Sequence, residues 1–424
     1  MRIAKVPVSQ INPAAYNPRK DLQPGDVEYE QLKKSIDIFG LVDLPVWNEE
    51  TNNLVGGHQR FKILVAGGAT EIEVSVVSLS LEKEKALNLA LNKIQGVWDN
   101  EKLAVLLEEL AAIPDFDVEI TGFSAPEISR IFDFYGDNKG EDGFDAVKAA
   151  EIIEVPITQT GDLICLGAHR LICGDSGDPS VLARLMSGEK VHMVHTDSPY
   201  NVNYSGGDRP SPDTRPKKSR IWKKIYSDNL PQAEFEAWME KILINIAAHI
   251  IPGAAMYLWN GHRQFAPMSN ILDKLGFHVS CIITWAKPTF AISYGDFNQQ
   301  TEFCQYCWKK DNGPHRWFGA TNESTLWEVA RDNTAQYCHP TQKPVALAQR
   351  AIKNSSLRGE IVLDAFLGSG STLIAAESLG RRCFGAELDA AYCDAIVSRY
   401  VNFVGAQNVS EELLKKYNLV QHAL

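Results

Sequence analysis

Residues 361–389 read IVLDAFLGSGSTLIAAESLGRRCFGAELD, and this stretch decides the fold. The apolar run that ends at Asp364 predicts a buried parallel strand, and a glycine-rich turn follows it. Small and apolar residues at helical spacing then predict a helix over Thr372–Leu379. A second predicted strand, Cys383–Ala386, ends at Glu387. This order of elements is typical of a doubly wound α/β sheet, in which ligands bind at the carboxyl ends of the strands.

The glycine-rich turn is suited to a nucleoside cofactor. Gly368 and Gly370 let the backbone approach a ligand closely and adopt positive φ. The carboxylate of Glu387 can accept hydrogen bonds from both hydroxyls of a ribose. The turn lacks the glycine spacing of a dinucleotide site and the Gly-Lys-Ser/Thr of a phosphate-binding loop. A nucleoside-containing cofactor without a phosphate requirement is therefore favoured, and S-adenosylmethionine fits. A turn that serves packing alone is the alternative.

The composition indicates a soluble protein of more than one domain. The 424 residues are too many for a single core and indicate two or three domains. Hydrophobic residues make up 45% and charged residues 22%, as in ordinary globular proteins. No apolar run approaches the roughly 20 residues that span a bilayer, so we expect no membrane partner. The eight dispersed cysteines indicate reduced thiols and a cytoplasmic location.

The negative charge is concentrated in the N-terminal third of the chain. Residues 1–150 contain 15 Lys and Arg against 25 Asp and Glu, whereas residues 151–424 contain 27 against 28. Within the second part, residues 201–228 are rich in glycine, proline and cations. We expect these cations to bind DNA phosphates, and a solvated insertion is the alternative. They are Arg209, Arg215, Lys217, Lys218, Arg220, Lys223 and Lys224.

A second chemically informative group follows the predicted strand Val191–Val194. Asp197, Ser198, Pro199 and Tyr200 bring together a carboxylate, a backbone carbonyl and an aromatic ring. This set suits a flipped planar base that bears an exocyclic amine. The Asp197 carboxylate and the Ser198 carbonyl can accept its two N–H bonds, and the Tyr200 ring can stack on the base. These four residues are therefore the predicted catalytic residues.

Three motifs resemble those of one enzyme family. The tetrapeptide DSPY (197–200) is similar to the catalytic motif of the amino DNA methyltransferases, and DAFLGSGST (364–372) is similar to their cofactor motif. HPTQKP (339–344), followed by a predicted helix over Val345–Ser355, lies between them, which is the order of the beta, or permuted, group. The resemblance implies S-adenosylmethionine-dependent methylation of the exocyclic amine of a flipped base in double-stranded DNA. Asp at the first motif position favours adenine N6, and cytosine N4 is the alternative.

The resemblance also implies roles for individual residues. Thr341 and Lys343 lie near the methionine carboxylate of the cofactor, Glu387 binds its ribose, and Asp175 reaches its adenine. Ser198 replaces the first proline of the catalytic motif, so we expect a less rigid turn. No metal is needed for this chemistry. The other implied cofactor-binding residues belong to the cofactor motif: Asp364, Phe366, Gly368, Ser369, Gly370 and Thr372.

The first 98 residues resemble the ParB/sulfiredoxin-like domain, through the turns NPR (17–19) and GGHQR (56–60). His58 stands where sulfiredoxins have a reactive cysteine, so thiol chemistry is not expected. Arg60 is the clear match to the ParB nucleotide-binding box. The second turn therefore either makes local hydrogen bonds or retains a nucleotide or phosphate site.

The predicted fold is α/β, with three parts. A doubly wound, Rossmann-like methyltransferase domain is predicted over residues 151–424, with target recognition at about 288–335. A smaller ParB-like α/β domain is predicted over 1–98, and a helical connector that ends in a glycine-rich linker over 99–150. The architecture resembles phage- and prophage-borne modification enzymes, which implies the cytoplasm of a bacterium or of a phage-infected cell. The rival hypothesis is a ParB-like DNA-binding protein whose methylase half is a non-catalytic scaffold. The sequence leaves the oligomeric state open, a homodimer included, as well as any restriction partner.

Cys304 and Cys307 form a single CxxC pair. One such pair supplies two of the four ligands that structural zinc needs. Alternation of polar and apolar residues through Phe303–Trp308 favours a strand instead, and no metal site is predicted.

Overall fold

The chain forms two compact units, Met1–Asp137 and Asn138–Leu424. Across the described residues, no helix has both the length and the apolar character needed to cross a membrane. The structure is a computed structural model that describes residues 2–93, 98–136, 140, 142–202, 229–291, 296–311, 313–329 and 342–419.

The first unit begins with a mixed five-stranded sheet. Its elements are β1 (Arg2–Pro7), β2 (Asn12–Pro13), α1 (Val27–Phe39), β3 (Val46–Asn48), β4 (Asn53–Gly56), α2 (His58–Ala66), β5 (Glu71–Val77), α3 (Leu81–Asn92), α4 (Asn100–Ala111) and α5 (Ala125–Tyr135). The strand order is β1-β5-β3-β4-β2. Leu54 and Val74 are fully buried in the sheet core. The buried carboxylate of Glu84 on α3 accepts hydrogen bonds from Asn48 and Asn53, which ties this helix to the β3–β4 hairpin.

Helices α3, α4 and α5 share a second core in the first unit. It contains Leu89, Leu107 and Phe132. Asp99 begins α4 by accepting the Lys102 N–H. These contacts stabilise the helical part of the predicted connector.

The second unit is built on one large sheet. Its elements are α6 (Ala146–Glu151), β6 (Leu163–Leu166), β7 (His169–Cys173), α7 (Pro179–Met186), β8 (Val191–Asp197), α8 (Gln232–His249), β9 (Ile250–Asn260), α9 (Phe265–Lys274), β10 (Phe277–Ala291), β11 (Gln299–Lys309), β12 (Leu326–Glu328), α10 (Val345–Ser355), β13 (Ile361–Asp364), α11 (Ser371–Ser378), β14 (Arg382–Glu387), α12 (Ala390–Val404) and α13 (Glu411–Lys416).

The sheet of the second unit has the order β12-β10-β11-β9-β8-β13-β14-β7-β6. Strands β7, β14, β13, β8 and β9 run parallel to one another. Strand β11 pairs antiparallel with both β9 and β10, and β6 pairs antiparallel with β7. The carboxyl ends of the five parallel strands therefore lie at one edge of the sheet.

Helices cover both faces of this sheet, as the doubly wound prediction requires. On one face, α10, α11 and α12 contribute Leu347, Leu373 and Ile396 to the core. On the other face, α7, α8 and α9 contribute Leu182, Ile242 and Leu272. The predicted α/β fold with a Rossmann-like second part is confirmed. Helix α10 has the predicted bounds, and α11 is displaced from its prediction by one residue.

The two CxxC cysteines lie on β11 and face opposite sides of the sheet. Cys304 packs in the core beside α10–α12, and Cys307 packs in the core beside α7–α9. The predicted strand is confirmed, and this alternation prevents the two sulfurs from sharing one metal ion. Over the part of the chain that the structure describes, no cluster of three metal-binding side chains is found.

The last residues of the predicted linker are folded into the second unit. Asp145 accepts the Lys148 N–H at the start of α6. Ala150 on this helix packs against Ala391 and Ala395 of α12. The guanidinium of the buried Arg399 donates to both carboxylate oxygens of Asp142, at 2.6 and 2.8 Å. Small side chains permit the close helix contact, which a composition rich in glycine and charge does not reveal.

Candidate active site

The strand register brings the two predicted motifs to one edge of the sheet. Strand β8 ends at Asp197, and the neighbouring β13 ends at Asp364. Val194 pairs with Leu363, and Asp364 pairs with Gly385 of β14, which ends two residues later at Glu387. We call residues 197–200 the catalytic turn. Parallel strands in this register place the catalytic turn and the glycine-rich turn side by side.

The Asp197 carboxylate has one oxygen engaged and one available. Its Oδ2 forms an ion pair with the ammonium of Lys343, which also donates to the Tyr200 hydroxyl at 3.0 Å. Its Oδ1 is buried, and no group among the described residues donates a hydrogen bond to it. A buried acceptor without a donor costs about 1–3 kcal/mol. This oxygen is therefore suited to an N–H that a ligand brings.

Two further charged residues complete a buried cluster. Glu302 on β11 lies 3.2 Å from the Lys343 ammonium and accepts the Tyr200 hydroxyl at 3.1 Å. Its other oxygen pairs with the Lys287 ammonium at 2.5 Å. Lys343 stands over the rings of Tyr200 and Trp259, at 5.2 and 5.3 Å from their centroids. The cluster fixes the Tyr200 ring from its hydroxyl end.

Burial and pairing set the charges in this cluster. Burial raises the pKa of Asp197, and the opposing effect of Lys343 does not cancel it. Burial alone would lower the pKa of Lys343, but Asp197 and Glu302 outweigh burial and raise it. Burial alone would raise the pKa of Glu302, yet Lys343 and Lys287 hold it at about 2. At neutral pH, Lys343 is therefore a cation and Glu302 an anion.

Two hydrogen bonds hold the serine that replaces the first proline of the catalytic motif. The Ser198 N–H and its Oγ both donate to the Trp259 carbonyl on β9, at 3.2 and 3.0 Å. Proline has no N–H and could make neither bond. The stiffness that we expected to be lost with the ring is thus supplied by the neighbouring strand. Pro199 follows, half-buried, and leads into Tyr200.

The glycine-rich turn wraps around the carboxylate of Glu387. The Gly368 N–H donates to Oε2 and the Asp389 N–H donates to Oε1, each at 2.8 Å. Burial raises the pKa of Glu387 to about 7, against the effect of these donors. Gly370 begins α11 with φ of +82°, and a Cβ there would meet Ile396 at 3.2 Å. Only glycine fits this position without strain.

The buried residues beneath the two turns form one hydrogen-bonded network. The Trp259 indole donates to His195 Nε2 at 3.1 Å, so the His195 Nδ1–H faces Thr372 Oγ1 at 3.0 Å. Thr372 and Thr196 each donate a hydroxyl to Asp364, at 2.7 and 2.8 Å. Burial raises the pKa of Asp364 to about 6 and lowers that of His195 to about 3. The side chains of Asp364 and Thr372 thus form hydrogen bonds with other residues of the protein.

The remaining predicted cofactor residues line the same edge. Asp175 follows β7 and accepts the Gly177 N–H at 2.8 Å through Oδ1. The Phe366 ring packs against Trp238, with ring centroids 5.6 Å apart. The Ser369 carbonyl accepts from Arg399 at 2.9 Å. Thr341 and the seven cations of residues 201–228 lie outside the described residues, so their roles stay predictions.

The second turn of the N-terminal unit makes local contacts. Gly57 begins α2 in the left-handed conformation, with φ of +80°. Arg60 pairs with Asp43 at 2.7 Å. Burial lowers the pKa of His58 to about 4, so this imidazole is neutral at neutral pH.

Three family models match the chain in sequence order. The model of the ParB N-terminal domain matches residues 1–93, and that of the ParB-methyltransferase HTH domain matches residues 101–160. The model of the N6/N4 DNA methylases matches residues 191–398, which include both predicted motifs. The chain is a DNA methyltransferase with a ParB-like N-terminal region.

Relatives of this methyltransferase agree with that assignment. It is 26% identical over 227 residues to the type II methyltransferase M2.DpnII of Streptococcus pneumoniae, covering 49% of this chain and 81% of the relative. It is 24% identical over 269 residues to the type II methyltransferase M.HpaI of Haemophilus parainfluenzae, covering 58% and 78%. Among solved structures, an M1.HpyAVI–SAM complex is 22% identical, with a TM-score of 0.39. The match covers 54% of this chain and 98% of that structure.

Sequence reasoning about this methyltransferase missed Glu302 and Lys287. Neither residue belongs to a motif, and they meet only because Trp285, two residues before Lys287, pairs with Glu302 in the antiparallel register of β10 and β11. The one available signal was that Glu302 immediately precedes the predicted strand Phe303–Trp308. Many surface strands have an acidic residue in this position, so the signal is not specific.

Proposed function

We propose that this methyltransferase transfers the methyl group of S-adenosylmethionine to the N6 amine of a flipped adenine at a specific site in double-stranded DNA. The observation that carries the proposal is the buried Oδ1 of Asp197, which has no hydrogen-bond donor among the described residues and lies at the strand edge that also holds the Gly368–Gly370 turn. A base amine supplies the donor that this oxygen lacks. The flipped base is required because the amine cannot reach such a site from within the duplex.

The residues around the glycine-rich turn fit the cofactor. Each Glu387 oxygen accepts one backbone N–H and keeps a further lone pair, which suits the two hydroxyls of a ribose. Among the described residues, a Cβ at Gly368 would meet only the Phe366 carbonyl, at 3.7 Å, which leaves room for a ligand beside this backbone. Asp175 accepts the Gly177 N–H through Oδ1, and its Oδ2 would accept the adenine amino group. When bound, the cofactor supplies an electrophilic methyl group on a sulfonium sulfur.

The chain's own residues then orient the amine. Asp197 Oδ1 and the Ser198 carbonyl accept its two N–H bonds, which directs the nitrogen lone pair toward the methyl group. Tyr200 stacks on the base, with its hydroxyl held by Glu302. The nitrogen would become positively charged as it bonds to the methyl carbon and the carbon–sulfur bond breaks to leave a neutral thioether, and the Asp197 carboxylate would stabilise that charge. The released proton then leaves past Asp197 to solvent.

The choice of adenine rests on Asp197 as the first residue of the catalytic motif. The hydrogen-bonding geometry of a cytosine N4 amine is the same, so the product must be identified chemically. The basic segment over residues 201–228 supplies the phosphate contacts in this proposal. The likeness to type II methyltransferases supports methylation at a defined sequence.

Transfer of a labelled methyl group tests the proposal. The full chain is incubated with duplex DNA and S-adenosylmethionine labelled in the methyl group, and the DNA is digested to nucleosides. We expect labelled N6-methyldeoxyadenosine from the wild type and none from Asp197→Ala. Labelled N4-methyldeoxycytidine would show that the target base is cytosine, and the proposed roles of Asp197, Ser198 and Tyr200 would still apply. DNA binding without transfer by the wild type would instead support the non-catalytic scaffold.

A further inference from the structure

The pairing of Glu302 deepens the proposed function and rests on it. We propose that Glu302 and Lys287 keep the reaction centre electrically neutral, and that Glu302 is a positioning residue that acts through Lys343 and Tyr200. Neither residue belongs to the predicted motifs, and the ion pair of Lys287 among the described residues is with Glu302.

The geometry gives Glu302 three partners and little access to water. Its Oε2 lies 3.2 Å from the Lys343 ammonium and 3.1 Å from the Tyr200 hydroxyl. Its Oε1 lies 2.5 Å from the Lys287 ammonium. The Glu302 side chain is 17% exposed and that of Lys287 is 8% exposed. Charges in such a place are weakly screened by salt and act on one another strongly.

The four ionised side chains sum to zero. Asp197 and Glu302 are negative, and Lys343 and Lys287 are positive. Without Glu302, Lys343 would pair with Asp197 alone, and the cluster would carry one unit of positive charge. Asp197 would then be a weaker acceptor for the amine, because its charge would be fully neutralised by Lys343.

The other titratable groups that face this cluster do not change its charge near neutral pH. Burial raises the pKa values of Tyr200 and Cys304 well above their ordinary values, so both stay protonated. Burial holds the pKa of His195 at about 3, so the imidazole stays neutral. Burial raises the pKa of Asp364, in the network below, to about 6, so the two ligands are compared above about pH 7, where Asp364 is an anion.

The charge of the cluster matters because the cofactor and its product differ by one positive charge. S-Adenosylmethionine carries a sulfonium, and S-adenosylhomocysteine carries a neutral thioether in the same place. If the cofactor is bound at the glycine-rich turn, next to residues 197–200, a positive cluster would oppose the first ligand and leave the second nearly unaffected. The ratio of the two dissociation constants therefore reports the charge, and a general loss of packing weakens both ligands alike.

Dissociation constants for both ligands are measured by calorimetry with the full chain, in the wild type, Glu302→Gln, Lys287→Gln and the double variant. We expect Glu302→Gln to lower the preference for the sulfonium ligand on the order of tenfold, and Lys287→Gln to raise it. The double variant restores neutrality, so its ratio returns to within about twofold of the wild-type ratio. An unchanged ratio in Glu302→Gln, or shifts of the same sign in both single variants, overturns the proposal.

The controls separate this inference from the proposed function. If the wild type binds neither ligand, the methyltransferase mechanism fails as well. If it binds both but the ratio is insensitive to the two substitutions, only the charge-balance inference fails. If Glu302→Gln does not fold, Lys287→Gln still decides the sign, because its predicted shift is opposite. Glu302→Asp retains the charge and should keep the wild-type ratio.

Discussion

The Thr196 hydroxyl donates a hydrogen bond to Asp364 Oδ1 at 2.8 Å. This bond joins β8, which leads into the catalytic turn, to β13, which leads into the glycine-rich turn. Both residues are buried. Thr372 at the start of α11 binds the other oxygen of the same carboxylate and contacts His195. The distance between the proposed base site and the proposed cofactor site is therefore fixed by buried polar contacts as well as by strand pairing.

Replacement of Thr196 tests this link. Thr196→Val keeps the shape but removes the hydroxyl, so we expect the free energy of unfolding to fall by about 1–2 kcal/mol. The single-turnover rate of methyl transfer should fall by more than the loss of folded protein explains, because the two sites lose their fixed spacing. Thr196→Ser keeps the donor and is the matched control. Equal rates in the two variants, measured with saturating cofactor and DNA, would show that the bond does not position the site.

The catalytic turn gives a second prediction, at Ser198. Ser198→Ala removes the Oγ bond to the Trp259 carbonyl and should lower kcat by about tenfold with little change in cofactor affinity. Ser198→Pro removes both bonds but restricts the backbone, and we expect it to retain more activity than the alanine variant. Rapid-quench kinetics with one DNA duplex measures both. An alanine variant at least as active as the proline variant would contradict this prediction.

A third prediction concerns pH. Burial raises the pKa of Glu387 to about 7, so in the free protein this carboxylate takes up a proton as the pH falls through neutrality. Ribose hydroxyls donate to the charged form and lower the pKa in the complex. The affinity for S-adenosylmethionine should therefore be full above about pH 7 and weaken below it, by at most about tenfold for each pH unit.

Equilibrium dialysis between about pH 6 and about pH 8 measures this dependence. Glu387→Gln carries no titratable group at that position, so it should bind the cofactor weakly with a flat profile. A profile of the same slope in this variant would assign the titration to another residue, of which Asp364 is the nearest in pKa, at about 6.

The folded end of the connector gives a fourth prediction. Asp142→Ala leaves the buried guanidinium of Arg399 without its carboxylate, which should destabilise the second unit by about 3–5 kcal/mol. Glu411→Gln, in an exposed pair with Lys415, is the control and should change stability by no more than about 0.5 kcal/mol. Urea denaturation followed by tryptophan fluorescence compares the two. Similar free energies of unfolding in the Asp142→Ala and Glu411→Gln variants would show that residues 142–151 are only loosely attached to the rest of the second unit.

Parts of the fold were predictable because local pattern and tertiary structure agree. The stretch 361–389 predicted β13, α11 and β14 to within one or two residues, and Glu387 and Asp197 were placed correctly at strand ends. Buried parallel strands are continuous apolar runs, and glycine-rich turns mark their ends, so these elements are visible without tertiary information.

Other parts depend on contacts that the chain order does not encode. The cluster of Glu302, Lys287 and Lys343 is created by strand register across three elements that are distant in sequence. The two bonds that hold Ser198 come from the neighbouring strand, so the substitution looked more disruptive than it is. Residues 142–151 have the composition of a linker, yet a buried arginine and two alanines of α12 hold them.

The role of Asp197 is tested by single-turnover methyl transfer in Asp197→Asn, with S-adenosylmethionine and duplex DNA both bound before the reaction starts. The amide keeps the size of the side chain but removes the charge that stabilises the methylated nitrogen. With both ligands saturating, we predict a fall in rate of about 100-fold or more. A rate close to that of the wild type would contradict the assignment of the amine to the Asp197 carboxylate.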